Sequence, residues 1–298
     1  MIETPALLVS TAIVLGLCIG SFLNVVIYRL PGMMQREWKE QCCSLLSAEG
    51  SPSNAEDSLF DTNEDSNEQE TFNLAHPNSR CPKCGHEIKP WENIPVISYL
   101  LLRGKCSSCS TKISARYPTI ELITGLLSGY IAYQYGMTWD TGLLLAFTYA
   151  LISLTMIDFD HQLLPDNITL PLLWLGLAAN CFGVFTDLNS AVWGAIAGYF
   201  SLWSIYWLFK LVTGKEGMGY GDFKLLAALG AWMGWQKLAL IIVLSSFVGA
   251  VVGIAMIIIL GRDKNIPIPF GPYLAAAGFI AFLWGDQLTQ NYLQLFRF

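Results

Sequence analysis

Hydrophobic runs of membrane-spanning length alternate with polar segments along most of the chain. These runs occupy residues 6–28, 117–135, 141–157, 167–185, 190–211, 223–236, 238–260 and 270–288. A helix needs about 20 predominantly apolar residues to cross the hydrocarbon core of a bilayer. The pattern therefore predicts an all-α polytopic membrane protein with about eight transmembrane helices. The sixth run is short and begins beside Asp222 and Lys224, so a tilted or re-entrant segment is an alternative there.

The composition is that of a membrane protein, and most of the negative charge lies in one segment. Of the 298 residues, 53% are hydrophobic and 13% are charged, whereas soluble domains carry about 25% charged residues. Residues 37–72 contain ten acidic residues and one basic residue, while the whole chain has a net charge of only −6. This segment, which includes Cys42 and Cys43, has few apolar residues and is predicted to be a disordered insertion. Its acidity is local and indicates no nucleic-acid partner.

The long polar segment after the first run divides the chain. We predict a first transmembrane helix at residues 1–28, a cytoplasmic loop domain at 29–116 and a seven-helix membrane domain at 117–298. Fifteen Lys and Arg residues lie in or beside the loops after the odd-numbered runs, and two lie on the opposite side. The positive-inside rule therefore predicts that these loops face the cytoplasm and that both termini lie outside.

Four cysteines in the loop domain have the spacing of a metal site. Cys81 and Cys84 form one C-x2-C pair, and Cys106 and Cys109 form another after a spacer of twenty-one residues. Two such pairs can supply four thiolates to a tetrahedral zinc ion, and four protein ligands make the site structural. Four free thiols or a rubredoxin-type iron site are the alternatives. Cys18 and Cys181 fall in apolar runs and are expected to be core residues.

Two aspartates lie at the ends of apolar runs, on the same predicted side of the membrane. Asp158 follows the third run, and Asp222 closes the glycine-rich segment 217–222. An ionisable residue at membrane depth costs about 2.5–3.5 kcal/mol and usually faces a polar cavity. Two carboxylates that share one proton can act as a general acid and base on water. The alternative is that each aspartate only caps or pairs at a helix end.

The glycines before Asp222 favour the close approach of a peptide backbone. Gly219 and Gly221 can adopt conformations that other residues avoid, and they leave space for an extended chain. A phosphate cradle is a weaker interpretation, because the G-x-x-x-x-G-K-[ST] pattern is missing and Asp222 would repel an anion. A glycine-rich helix-packing face is the purely structural alternative.

The Gly219–Asp222 motif resembles the G-x-G-D signature of intramembrane aspartyl proteases, the group that includes presenilin. Further motifs follow in order along the chain: Gly20–Pro31, the paired C-x2-C sequences, Ile157–Asp166, Gly217–Lys224 and Pro269–Pro272. Together they resemble the type IV prepilin peptidase family, which combines leader peptidase and N-methyltransferase activities in bacterial type IV pili and type II secretion. The acidic segment 37–72 departs from the usual shorter loop of that family.

The resemblance implies a function and assigns residues to it. The substrates would be prepilins and pseudopilins, cleaved on the cytoplasmic side of a bacterial inner membrane, with pilus or type II secretion machinery as further partners. Asp158 and Asp222 would be the catalytic pair. The active-site loops that face the substrate would contain Gly219, Gly221, Pro269 and Gly271. The new N-terminal residue would then be methylated from S-adenosylmethionine.

The methyl-donor site is the least visible feature of the sequence. No strand followed by G-x-G-x-x-G is present, so a Rossmann-type donor site is not expected. The resemblance places this activity near the cysteine-rich loop, where Gly104 and Lys105 precede Cys106. They are candidates for donor contacts, and the alternative is that they are solvated residues of the metal-binding turn.

Some alternatives remain open at the level of sequence. Asp160 and Asp166 lie in the same short segment as Asp158, and Asp166 follows Pro165 as a candidate N-cap of the next helix. A membrane transporter or a zinc-structured scaffold of a secretion system are the competing functions. A transporter would be expected to show repeated halves with acids inside the spans, and a scaffold would leave the two aspartates unexplained.

Overall fold

The computed structural model describes residues 5–48, 73–215, 217–261 and 268–295. Its α-helices are α1 (Pro5–Ala48), α2 (Ile97–Leu101), α3 (Arg116–Tyr135), α4 (Trp139–His161), α5 (Asp166–Cys181), α6 (Leu188–Thr213), α7 (Tyr220–Met233), α8 (Leu238–Leu260) and α9 (Gly271–Leu295). Short 3-10 helices lie at Pro90–Asn93 and Trp235–Lys237. Within the described ranges there is no β-strand, and two isolated bridges occur near the cysteines. The all-α prediction is confirmed.

All eight predicted hydrophobic runs lie on helices, but not all of these helices can be called spans. Four segments in the described part of the chain are long and apolar enough to cross a membrane: Pro5–Leu46, Trp139–His161, Leu188–Thr213 and Trp235–Ile259. By contrast, α5 has 16 residues and α7 has 14. At 1.5 Å per residue they extend about 24 and 21 Å, less than a hydrocarbon core of about 30 Å. The membrane character is supported, whereas the number of eight spans remains a prediction.

The first helix is longer than its hydrophobic run. It contains 44 residues and runs through Pro31 to Ala48, a length of about 66 Å. Residues 37–48, which the sequence analysis assigned to a disordered insertion, are therefore helical. Glu, Lys, Gln, Leu and Ala in this stretch are strong helix formers, which outweighs the local excess of negative charge. The remainder of the predicted insertion, residues 49–72, lies outside the described residues.

The chain forms two compact units. The loop unit comprises residues 17–123, and the membrane unit comprises residues 1–16 and 124–298. Two buried charged residues stabilise the loop unit. Arg29 donates hydrogen bonds to the carbonyls of Asn73 at 2.9 Å and Pro77 at 2.6 Å. Glu121 accepts the backbone N–H of Val96 at 2.8 Å, which satisfies a donor in a residue with a φ of +61°.

The core of the membrane unit surrounds α7. Every residue of this helix from Asp222 to Met233 except Lys224 is buried. Gly194 of α6 and Gly230 of α7 lie backbone to backbone, so a Cβ on either would collide with the carbonyl of the other. The indole Nε1 of Trp232 donates to the carbonyl of Leu172 in α5 at 2.8 Å. This enclosure fixes α7, and with it the position of Asp222.

Candidate active site and metal centre

Asp158 and Asp222 lie close enough in the membrane unit to interact electrostatically. Asp158 belongs to the last turn of α4 and Asp222 to the first turn of α7. Both residues are buried, with exposed fractions of 5% and 6%. The structure therefore brings together the two carboxylates that the sequence analysis selected.

The end of α4 and the start of α7 determine the positions of the two aspartates. Helix α4 ends at Gln162, which adopts a left-handed conformation and returns its N–H to the Asp158 carbonyl at 2.9 Å. Helix α7 begins after Gly219, whose carbonyl accepts the Asp222 N–H at 3.2 Å. The Asp222 carboxylate consequently lies at a helix N-terminus, where unpaired N–H groups favour an acidic side chain.

The start of α9 contributes a third element to this site. The backbone N–H of Gly271 donates a hydrogen bond to Oδ2 of Asp158 at 2.9 Å. A Cβ at this position would lie 2.6 Å from that same oxygen. Only glycine permits this approach, so the geometry explains the need for glycine at position 271. A contact of Gly271 with substrate stays a prediction. The hydrogen bond fixes one oxygen of Asp158 and orients the other.

Leu164 is a packing residue of the site that the sequence analysis did not select. A Cβ at Gly221 would lie 2.6 Å from the Leu164 Cβ, and a Cβ at Gly271 would lie 3.2 Å from its Cδ2. Leu164 therefore fills the space between the two glycines. Gly219 differs, since the nearest neighbour of its missing Cβ is Oδ2 of Asp222 at 3.8 Å. The space beside Gly219 is therefore more open than the space beside Gly221.

An ion pair connects α5 with α7, the helix that carries Asp222. Nζ of Lys224 lies 2.7 Å from both carboxylate oxygens of Asp166. The sequence analysis proposed Asp166 as the N-cap of α5, but Pro165 has that position and Asp166 is the first helical residue. Pro165 has no side-chain acceptor for the first N–H groups of the helix, and the Asp166 side chain pairs with Lys224. The pair connects the first turns of α5 and α7.

Reversing this ion pair tests its role in alignment. We expect Lys224→Asp to lower the peptidase activity that the family resemblance implies roughly tenfold, because a misplacement of about 1 Å is already costly in catalysis. The double variant Lys224→Asp with Asp166→Lys is expected to recover most of the activity. The matched control is Lys237, which pairs with Asp286 at 3.2 Å on other helices. Equal losses for Lys224→Asp and Lys237→Asp, without recovery in the double variant, would contradict this role.

The four predicted metal ligands form one cluster in the loop unit. The Sγ atoms of Cys81, Cys84, Cys106 and Cys109 all lie within 4.8 Å of one another. Cys81 and Cys109 are 3.7 Å apart at sulfur. Tetrahedral zinc with bonds of about 2.3 Å places its thiolates about 3.8 Å apart. The donor set and its spacing therefore fit a structural zinc ion.

Two equivalent turns build this cluster. The N–H of Gly85 returns to the Cys81 carbonyl at 2.9 Å, and the N–H of Ser110 returns to the Cys106 carbonyl at 3.0 Å. Gly85 and Ser110 both have positive φ angles, of 70° and 57°. The repeat places each cysteine pair in the same local geometry, so the four thiols converge from two similar loops.

Polar neighbours support the thiols. Hydrogen bonds with the side chain and backbone of Thr111 lower the pKa of Cys109 to about 6. Despite a hydrogen bond from the His86 backbone, burial and the three neighbouring thiols raise the pKa of Cys84 to about 11. His86 is no fifth ligand: its Nε2 lies 3.2 Å from Oε2 of Glu92 and 3.3 Å from Oγ of Ser107. It connects the two cysteine turns.

The remaining cysteines and the candidate donor residues differ from expectation in part. Cys18 and Cys181 are exposed on helix surfaces, not buried in a core; an apolar side chain is stable there where a helix faces lipid. Gly104 has a φ of +66°, and its missing Cβ would lie 2.9 Å from the Tyr99 ring. It is buried, whereas Lys105 is exposed. Packing thus explains Gly104, and Lys105 is the residue of the two that can reach a ligand.

The chain matches known proteins over nearly its full length. The Bacterial Peptidase A24 N-terminal domain matches residues 14–135, and the Type IV leader peptidase family matches residues 145–254. A protein of Pseudomonas aeruginosa is 57% identical over 99% of this chain and 96% of its own length. Relatives from Aeromonas hydrophila (51% identity; 98% and 96% coverage) and Neisseria gonorrhoeae (52%; 94% and 92%) are similar.

All three relatives are named prepilin leader peptidase/N-methyltransferase. No solved structure matches the chain. The two matched ranges span the positions of the cysteine cluster and of the aspartate pair. The chain belongs to the type IV leader peptidase family.

Proposed function

We propose that this protein removes the leader peptide of type IV prepilins and pseudopilins and then methylates the new N-terminal residue. One observation carries the peptidase half: Asp158 and Asp222 are buried together, and the Gly271 N–H fixes one of them. Relatives that share more than half of this sequence have names that combine both activities. Buried carboxylates that interact with each other are the arrangement an aspartyl protease requires.

The proposed hydrolysis uses the two carboxylates as base and acid. The ionised carboxylate takes a proton from a water molecule, which attacks the scissile carbonyl, and the protonated carboxyl donates to the carbonyl oxygen. The resulting tetrahedral intermediate collapses as the leaving nitrogen is protonated. The Gly271 N–H engages Oδ2 of Asp158, and the proposed mechanism assigns Oδ1 to the water or the partner acid. No covalent enzyme intermediate is needed.

Substrate alignment is proposed to depend on the loops around the pair. A peptide that enters the site as an extended strand needs backbone partners, since unsatisfied polar groups are costly in an apolar region. Gly219, at the start of α7, has the open space for such an approach. Gly221 and Gly271 act indirectly, through their close packing on Leu164 and Asp158, and Pro269 leads the chain into α9.

We place the protein in the bacterial inner membrane as a multi-pass protein, with the site and the cysteine cluster on the cytoplasmic side and both termini outside. The distribution of Lys and Arg supports this orientation. The apolar helices support the membrane location. Components of the pilus or type II secretion machinery are proposed partners in that setting.

The methyltransferase half is proposed to use Lys105. S-adenosylmethionine supplies an activated methyl group on a sulfonium ion and also carries a carboxylate. The exposed Lys105 ammonium, next to the rigid cysteine turn, is suited to pair with that carboxylate. Gly104 supports it indirectly, because its packing on Tyr99 fixes the backbone before Lys105.

The Lys105 proposal predicts a separation of the two activities. We expect Lys105→Ala to reduce methylation more than tenfold, mainly through a weaker affinity for the donor, and to leave leader cleavage within about twofold. Lys112 is the matched control, because it lies opposite Lys105 in the same backbone bridge and is also exposed. Similar methylation by Lys105→Ala and Lys112→Ala variants, in initial rates against donor concentration, would reject this contact.

The test of the overall proposal is a cleavage and methylation assay with detergent-purified protein and a panel of prepilins. Mass spectrometry should show loss of the leader and, with S-adenosylmethionine, a gain of one methyl group at the new N-terminus. Absence of cleavage for every prepilin, with folded protein, would contradict the proposal and would reopen the transporter and scaffold alternatives.

A further inference from the structure

An apolar patch lies on the surface of the loop unit, in the segment between the two cysteine pairs. Its members have exposed fractions between 43% and 77%: Trp91, Ile94, Ile97, Leu100 and Leu101. Ile97, Leu100 and Leu101 are three and four positions apart on α2, so their side chains share one face of that helix. Contiguous apolar surface of this kind marks a site of interaction with a protein or a membrane.

Hydrogen bonds within the loop unit place the patch at the level of the first apolar run. The N–H of Val96, which directly precedes α2, donates to Oε2 of Glu121 at 2.8 Å. Ser21 of α1 is a second hydrogen-bond partner of that carboxylate. Ser21 lies seven residues before the end of the run at residue 28, which is about 10 Å along a helix. The start of α2 therefore lies beside the apolar part of α1 and not beyond its end.

A second buried contact fixes the same level. Nδ2 of Asn24 in α1 donates to the carbonyl of Tyr117 in α3 at 3.2 Å. The first turn of α3 thus lies beside the last turns of the apolar run, and Glu121 lies one turn further along α3. Asn24 and Glu121 are both buried, and both contacts lie within one compact unit. These contacts hold α2 at the depth where α1 is apolar enough to cross a membrane.

The backbone of this segment is suited to contact with lipid. The N–H groups of four residues donate to carbonyls of the same segment at 2.9–3.1 Å: Ser98, Leu100, Leu102 and Gly104. Unpaired backbone polar groups are costly where water is scarce. Because its donors are paired internally, the segment can enter the boundary between headgroups and acyl chains.

Basic side chains flank the patch. Lys89 precedes it, with Nζ 5.5 Å from the centroid of the Trp91 ring, and the exposed Arg103 follows it. The acid between them, Glu92, pairs with His86 at 3.2 Å, and its side chain is 15% exposed. Lys and Arg are attracted to the anionic headgroups of a cytoplasmic leaflet, and Trp favours the membrane interface. The charges therefore favour an anionic lipid surface as the occupant of the patch.

We propose that residues 91–101 form an interfacial anchor, in which the apolar patch inserts into the boundary between headgroups and acyl chains of the cytoplasmic leaflet. Lys89 and Arg103 contact anionic headgroups at its two ends. The segment continues within a few residues to Cys106, so the anchor fixes the cysteine cluster at the membrane surface. The loop domain, which the sequence analysis placed wholly in the cytoplasm, then has one segment in the bilayer. This anchor goes beyond the proposed enzymatic activities and requires only that α1 crosses the membrane.

The experiment measures the depth of position 101 in a bilayer. The full chain, with a fluorescent non-natural amino acid in place of Leu101, is reconstituted into vesicles of phosphatidylethanolamine and phosphatidylglycerol with brominated acyl chains. The matched control has the same label in place of Ser108, which is exposed and uncharged in the second cysteine turn. We expect at least about threefold stronger quenching at position 101 than at position 108, because interfacial apolar segments lie about 5–10 Å deep.

Changes in the patch itself distinguish an anchor from mere proximity to the transmembrane helices. Ile97→Ser with Leu100→Ser should reduce quenching at position 101 at least about twofold, since less apolar surface is left to insert. Lys89→Gln with Arg103→Gln should reduce it in vesicles that contain phosphatidylglycerol but not in phosphatidylcholine vesicles. All four residues except Lys89 and Arg103 are apolar, and all four are exposed, so metal content should be unchanged in both variants.

Equal quenching at positions 101 and 108, as expected if another protein or a second copy of the chain covers the patch, would overturn the proposal. So would quenching at position 101 that is unchanged by Ile97→Ser with Leu100→Ser. An equal effect of Lys89→Gln with Arg103→Gln in both lipids would overturn the headgroup contacts. Quenching requires no enzymatic activity, so failure of the anchor and failure of the proposed function are separate results.

Discussion

Asp158→Asn and Asp222→Asn variants are each expected to lose at least about 10³-fold in leader cleavage. Each substitution removes a group that must take or give a proton, and positioned acid–base groups contribute about 10²–10⁴-fold. Because the two carboxylates act as one unit, the double variant should be no less active than either single variant. The measurement is the initial rate of leader removal by purified protein in detergent.

Asp160 provides the control within the same segment. It lies two residues after Asp158 but is exposed, unlike the buried pair. Asp160→Asn is expected to cleave within about twofold of wild type. Helical circular dichroism and gel-filtration profiles should match among all variants. Substantial cleavage by Asp158→Asn or Asp222→Asn would exclude the proposed mechanism, and loss of activity in Asp160→Asn alone would assign the first carboxylate to Asp160.

Removal of the metal is expected to have the largest effect on the stability of the loop unit. Structural zinc sites contribute an apparent 10–16 kcal/mol of binding free energy at neutral pH, and much of it is folding free energy. We expect one zinc per chain and loss of protease resistance in residues 73–123 on chelation. Cys106→Ser should reproduce this effect, since three thiolates leave the tetrahedron incomplete.

Cys181→Ser is the matched control, because Cys181 is exposed on α5 and lies outside the cysteine cluster. It should retain zinc and a stable loop unit. Metal analysis by mass spectrometry and limited proteolysis distinguish the outcomes. A purified protein that carries iron would confirm the ligand set and exclude zinc. A protein without any metal, but with a protease-resistant loop unit, would contradict a metal-dependent fold.

The sequence contained the information that depends on composition, spacing and order. Long apolar runs predict helices because only internally hydrogen-bonded segments are stable in hydrocarbon. The two C-x2-C pairs predict a metal site because ligand type and spacing are local properties. Asp158 and Asp222 could be selected because an ionisable group at membrane depth costs free energy and is therefore usually functional. The motifs in order identified the family.

The sequence prediction was incomplete where local signals compete. Residues 37–48 have the charge of a disordered segment and the propensities of a helix, and the helix extends through them. Asp is a preferred N-cap residue, yet Pro165 occupies the N-cap position before Asp166. The Asp166 carboxylate pairs with Lys224 instead. In the first case two local signals compete and helix propensity prevails. In the second case the pattern could not decide, because Lys224 lies 58 positions from Asp166.

By itself the sequence determined the helical class and the family, and it selected the four cysteines and the two aspartates that the structure groups together. Only the tertiary structure decided that the Gly271 N–H reaches Asp158 and that Leu164 fills the space between two glycines. The reason is physical: these contacts join residues separated by up to 113 positions. Their distances follow from how α4, α7 and α9 pack, which no local pattern encodes.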